Sequence, residues 1–244
     1  MQKFDAEKWV FADYFDPAHV PLSVEDNRMV RAAHAYLASA RIGDHPFFLS
    51  ARGNPAALAV WSSQECVITN HFSQTLFALI AMVGNVHVRS ILLPVVAGEH
   101  SPIKNGLAVG SHPHLLAKLL EDIGIKSGNV KPLPFTVHFA EALTNSLQST
   151  IFGLGFLGIG NEAMLIPEYT AVEGLFSLLY SRDLYRPFLR ANIEEDRTHA
   201  SIMESVAIAL CRGSYDEYLF LRGAEAGVDA RIRYYDDLLA YLEI

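Results

Sequence analysis

In the stretch FLRANIEEDRTHASIMESVAIAL, Asn192, Asp196 and His199 stand at i, i+4 and i+7, so all three share one face of a helix, a turn apart. Leu189, Met203 and Val206 continue the same stripe. An acid and an imidazole in line with apolar residues are predicted to point inward, where an ionised carboxylate is costly unless it is paired or bound to a metal. Glu194, Glu195 and Arg197 fall off that face and are expected in solvent. Taken alone, Asp196 and His199 fit a buried, hydrogen-bonded structural pair; further inward acids would tip the reading toward a metal.

Such acids are present. Glu162 is the only charge between Ile151 and Glu168, in an otherwise apolar, glycine-rich run, and is predicted to face the core. Glu99 ends LLPVVAGEH after a long uncharged stretch, and His112 sits just before Pro113 at the edge of a leucine-rich segment, with His114 as its rival for a ligand role. Carboxylates and imidazoles drawn from several helices form an oxygen and nitrogen ligand set. That set suits iron or manganese and is too poor in sulfur for a structural zinc site.

The elements that must carry these residues read as helices. SVEDNRMVRAAHAYLASAR offers Ser23 as an N-cap with Met29, Ala32, Ala33 and Leu37 on one face. Asn54-Pro55 opens a second helix, running through Trp61, Cys66 and Phe72 to Val83 with room for one break, and stopped by Gly84 and Asn85. VHVRSILLPVV has strand-like composition, but Pro94 bars a central strand, so a short helix is predicted. Leucines from Pro113 to Ile123 recur at helical spacing before Gly124, a C-terminal stop. Further helices are predicted over 136–150, 152–180 with a break at Pro167, 187–211 and about 225–242. This pattern implies an all-α bundle with an internal site, and the loops near 43–55 and 126–134 are too short to act as tethers, so residues 1–244 are predicted to form one helical domain.

Composition narrows the partners. The net charge of −8 comes from 27 acidic against 19 basic residues without a basic stripe, which argues against nucleic acid. Cys66 and Cys211, the 2 cysteines, each lie in an apolar helical stretch and suggest buried thiols in a reducing compartment. MQKFDAEKWVFADYFDP lacks the basic start and apolar run of a secretory signal, making a cytoplasmic location the expectation. Leu76–Val83, the most apolar stretch by eye, is interrupted before the ~20 residues a bilayer requires, so no membrane partner is expected.

On these segments the chain resembles the heme-oxygenase-like helical oxidases, in the CADD-like branch of the chlamydial death-domain-associated protein, with the PQQ-synthesis oxygenase (PqqC-like) and thiaminase-type (TenA-like) proteins as more distant relatives. The family's late helix shows His-x3-Asp-x2-His where this chain has Asn192-x3-Asp196-x2-His199. GEHSPIKNGLAVGSHPHLLAKLLEDIGI resembles the family's acidic segment followed by His-Pro-x-Leu-Leu, matching Glu99 and His112, and NEAMLIPEY resembles its Glu-x4-Pro-Glu element, matching Glu162. The resemblance covers residues 54 to 211 and implies a bundle of about seven helices around a non-heme di-iron centre that activates dioxygen. Two departures stand out. Asn192 replaces a histidine with a poorer ligand, so two, one or no metals remain open, and the Glu99 to His112 interval is longer than the family's, through an inserted loop or a different assignment.

The metal set implied is thus Glu99, His112, Glu162, Asp196 and His199, with iron in one or two ions, manganese as a substitute, or no cofactor if the site has decayed. The activity implied is oxidation or oxygenation of a small molecule with a hydrophobic portion; the alternative is a metal-free protein that binds or oxidises such a molecule, with Asn192 hydrogen-bonding to it. A purely structural or partner-binding bundle is the third reading, and a homodimer is compatible with the composition. Gly153, Gly155 and Gly158 mimic a dinucleotide fingerprint but lack the strand that must precede it. Gly155 and Gly158, with Asn192 and His71, are instead assigned to a substrate cavity, although packing serves equally well for the glycines and for His71. Glu65 stays ambiguous, and the pairs Phe47-Phe48 and Tyr234-Tyr235 are expected to pack.

Overall fold

The computed structural model of the protein describes Val24, residues 26–100 and residues 110–242. Every regular element among them is helical, and no strand occurs there. Eight helices of more than one or two turns follow in order: α1 (Arg28–Ala40), α2 (Pro55–Met82), α3 (Val86–His100), α4 (His112–Asp122), α5 (Pro134–Asn145), α6 (Thr150–Phe176), α7 (Arg182–Leu210) and α8 (Ser214–Tyr241).

The starts are set by short polar side chains. Asn27 accepts hydrogen bonds from the Met29 and Val30 N–H groups and starts α1, so the cap expected at Ser23, which lies outside the described residues, is replaced by one further along. Asn54 accepts from Ala56 and Ala57, Pro55 occupies the first turn, and α2 then runs unbroken to Met82. Asn85 accepts from His87 and Val88, which commits the Val- and Ile-rich segment to the helix α3, longer than expected and with Pro94 inside it. Ser111 caps α4, and Gly124 (φ +86°) ends it in the left-handed conformation that glycine adopts without a steric penalty.

Three boundaries differ from the sequence reading. The irregularity expected at Pro167 lies before it, as a π-helical stretch over Gly155–Ala163, after which regular turns resume. Pro167 has no N–H to offer the Ala163 carbonyl, and the wide turns end at that residue. Helix α7 begins at Arg182 and tolerates Pro187 near its start, while α8 begins at Ser214 rather than near 225.

Helix α6 runs through the middle of the bundle. Its π-helical stretch is covered by α8 and α7, while α7 also packs on α3 and α4, and α2 on α4 and α5. A side chain at Gly155 would overlap the Phe220 carbonyl of α8, and one at Gly158 would stand 3.1 Å from Met203 Cβ of α7. Both glycines therefore serve close helix contact, which corrects their assignment to a substrate cavity. The segment Thr150–Phe176 is long and apolar enough to cross a membrane, yet 72% of its most apolar window is buried inside the protein, as in a core helix.

Candidate metal centre

Four helices each bring a polar side chain inward at a position where the helical period calls for an apolar one. On α3 the buried positions are Val88, Leu92, Val95, Val96 and Glu99, so Glu99 is the last member of an apolar stripe. On α4 His112 begins the stripe continued by Leu116, Leu119 and Leu120, while His114 is exposed and drops out as its rival. Glu162 is fully buried in the π-helical stretch of α6, and Asp196 and His199 are buried on α7 together with Asn192 and Met203.

These five side chains meet. Glu99, His112 and Asp196 present ligand atoms within 4.8 Å of one another, and so do Glu99, Glu162 and His199, so two triads share Glu99. His199 Nδ1 lies 3.5 Å from Glu162 Oε2, 3.9 Å from Asp196 Oδ1 and 4.0 Å from Glu99 Oε1. His112 Nδ1 lies 2.9 Å from Glu99 Oε1, but off the line of a hydrogen bond. Both oxygens of Glu162, both of Asp196, both nitrogens of His112 and Nδ1 of His199 are buried without a hydrogen-bond partner.

Burial of ionisable groups this close together perturbs all of them. Burial pushes the Asp196 carboxyl well above its ordinary value, and the charges of Glu162 and Glu99 push it further. Burial also raises Glu162, against the pull of His199. Burial lowers His112, but the carboxylates of Glu99 and Glu195 outweigh it and hold the imidazole at about 10; His199 is raised by the same balance, with Glu162 as its main partner. Unpartnered buried acids and imidazoles aimed at a common space are costly without a cation. Their donors fit a hard or borderline divalent ion such as iron or manganese. No thiol joins the triads; Cys66 and Cys211 are free and half-buried elsewhere.

Asn192 is buried beside the cluster, whereas His71 lies outside it. The Asn192 amide nitrogen donates to the Phe188 carbonyl of its own helix at 2.7 Å, and the residue is buried on the helix that carries Asp196 and His199. His71 shares a hydrogen bond of 2.9 Å with Thr144 Oγ1 in a surface groove lined by Val67, Val137 and Ala140, away from the five ligands, so its place in the same cavity is corrected. Its apolar surroundings in sequence belong to contact with α5.

Two features were missed. Glu195, assigned to solvent, is only half-exposed, and its buried Oε2 lies 3.5 Å from His112 Nε2. Its i, i+4 spacing to His199 was the available signal. A second buried charged cluster joins α2, α6 and α8: Arg231 donates from Nε to Glu168 Oε2 at 2.8 Å and from Nη2 to Glu65 Oε1 at 2.8 Å, with Nη2 also on Glu168 Oε1. Tyr169 donates to Glu65 at 2.9 Å, Tyr235 to Glu168 at 2.7 Å, and Trp61 Nε1 to the Tyr235 hydroxyl at 2.8 Å. Tyr234 and Tyr235 do pack, edge to face, as do Phe47 and Phe48.

Residues 59–232 match a family model described as an iron-containing redox enzyme. Among solved structures, a CADD-like protein of unknown function from Nostoc punctiforme superposes with a TM-score of 0.72 at 20% identity, covering 90% of this chain and 99% of that one. A domain of unknown function with a heme oxygenase-like fold from Shewanella denitrificans gives 0.67 at 16% identity (88% and 91% covered). A TenA homologue from Pyrococcus furiosus gives 0.59 at 15% identity (86% and 97% covered). At these identities the structures establish the shared heme-oxygenase-like fold. No curated protein matches the sequence.

Proposed function

The chain belongs to the iron-containing redox enzyme family, and from that premise we propose that it is an oxygen-activating non-heme iron oxidase or oxygenase acting on a small molecule with a hydrophobic portion. The observation that carries this reading is the pair of triads sharing Glu99, in which seven buried donor atoms of Glu162, Asp196, His112 and His199 have no protein partner. Iron bound there would supply the electrons that dioxygen, a poor one-step partner for closed-shell organic molecules, needs for reaction.

The protein's share is binding and exclusion. Glu99, Glu162 and Asp196 would supply negative charge to a divalent ion or ions held there, and His112 and His199 would complete the set. Leu116, one turn after His112, and Leu189, Met203 and Val206, on the stripe of Asp196 and His199, are fully buried and apolar, which fits a site closed to bulk water and a substrate with a hydrophobic part. Asn192 ties its amide nitrogen to the Phe188 carbonyl, and the acids and imidazoles of the set come from five other residues.

Oxygen uptake tests the reading. Protein loaded with ferrous iron under anaerobic conditions and then mixed with air-saturated buffer is expected to consume dioxygen faster than free iron at the same concentration, and D196N is expected to lose that excess. Equal rates for loaded protein, D196N and free iron would refute it.

A further inference from the structure

Glu195 is a charged group beside the two triads that belongs to neither of them. Three observations place it. Its Oε2 is buried without a hydrogen-bond partner although the side chain as a whole is 45% exposed. That oxygen lies 3.5 Å from His112 Nε2, the ring nitrogen opposite the Nδ1 that faces Glu99, and this Nε2 is itself buried and unpartnered. A side chain at Gly98 of α3 would overlap His199 Nε2 and stand 3.0 Å from Glu195 Oε2, so the outer nitrogen of the second imidazole and the same carboxylate flank the space that Gly98 leaves empty.

Both rings thus turn Nδ1 toward the acids, while His112 Nε2 faces Glu195 directly and His199 Nε2 borders, with Glu195, the space at Gly98. An imidazole that binds a cation through one nitrogen carries its proton on the other, and a carboxylate at that second nitrogen fixes the tautomer, locks the ring and strengthens the donor. Resting on the metal reading above, we propose that Glu195 is the positioning residue of this centre: it accepts the His112 Nε2–H, faces the His199 Nε2–H across Gly98, and commits both histidines to ligation through Nδ1. The exposed part of the Glu195 side chain opens this support to solvent on one side only, whereas every ligand is buried. Glu194, one residue earlier on α7, is exposed and has no such neighbour, which makes E194Q a matched control.

Zinc serves as a diamagnetic probe. Titration of the full chain with Zn²⁺, followed by calorimetry, is expected to show E195A weakened about 10–100-fold, E195D partly restored and E194Q unchanged, all with the same melting temperature before metal is added. Nitrogen-15 spectra of the zinc-loaded protein are expected to show both ligand imidazoles protonated at Nε2 and metal-bound at Nδ1, with the Nε2 proton of His112 exchanging faster in E195A. Zinc affinity of E195A within twofold of the unaltered chain, or ligation through Nε2, would overturn this role and leave the metal reading standing. Failure of the unaltered chain to take up zinc, iron or manganese would overturn both.

Discussion

The bundle buries two clusters of ionisable side chains, both built around glutamates and answered in opposite ways. Around Arg231, one guanidinium faces Glu65 and Glu168, with Tyr169, Tyr235 and Trp61 supplying further hydrogen bonds. Around Glu99, three carboxylates and two imidazoles face one another, and most of their donor and acceptor atoms have no partner at all. The first cluster brings its own cation on α8. The second has no permanent cation of its own among the described residues, and on the proposed reading the difference separates a polar core that fixes packing from a site that binds a metal.

The largest expected effect comes from removing the internal cation. R231M leaves Glu65 and Glu168 buried without a counter-charge and is expected to cost about 3–5 kcal/mol in chemical denaturation, whether or not metal is present. The opposite sign is expected in the other cluster. Metal-free D196N should be more stable than the parent by about 1 kcal/mol, because it removes one of several crowded acids, and it should lose metal binding by more than the ~10–100-fold typical of an outer-sphere change. A D196N chain that unfolds as readily as R231M would erase the distinction.

Proton traffic sharpens the contrast. Asp196 and Glu162 are raised above their ordinary values, chiefly by burial, and His112 is held at about 10 by Glu99 and Glu195 against the effect of burial. At neutral pH the His112 imidazole carries a proton that a cation must displace, and the raised carboxyls hold theirs more tightly than free acids, so metal binding should release protons and tighten as pH rises. Calorimetry in two buffers of different ionisation enthalpy measures the release; a pH-independent affinity between pH 6 and 8 would speak against the ligand set. A smaller and purely structural effect is expected at His34, raised by its hydrogen bond to Glu204. Its contribution to stability is present in full below the unfolded value near 6.5 and fades as pH climbs through the raised folded value, so H34A should narrow its stability gap to the parent at alkaline pH.

How far the sequence could reach differs between the two clusters as well. The candidate ligands were legible because each interrupts an apolar stripe on its own helix: Asp196 and His199 between Leu189 and Met203, Glu99 after Val95 and Val96, His112 ahead of Leu116. Helical period says which way a side chain points, and that sufficed. It says nothing about what a residue meets, so Glu65, Glu168 and Arg231, which lie far apart in the chain, gave no sign of pairing. For the same reason Gly155 looked like an opening and proved to be a contact with α8, and His71 looked inward and faces Thr144. The early start of α8 was hidden because SYDEYLFLRG mixes exposed tyrosines and charges with few buried positions before Phe220.

Small changes at Gly98 probe the site from its edge. G98A places a methyl group against His199 Nε2 and is expected to weaken metal binding while shifting metal-free stability little, since the ring can swing into the space between the acids. The more direct question is whether the unpartnered cluster takes the cation its geometry calls for. Anaerobic titration of the freshly purified chain with ferrous iron, read by bound metal per chain and by melting temperature, is predicted to saturate at no more than two ions and to stabilise the protein by about 2.7 kcal/mol at 100 times the dissociation constant, with both effects reversed by a chelator. No bound iron or manganese at saturating concentration, and no change in melting temperature, would contradict the account.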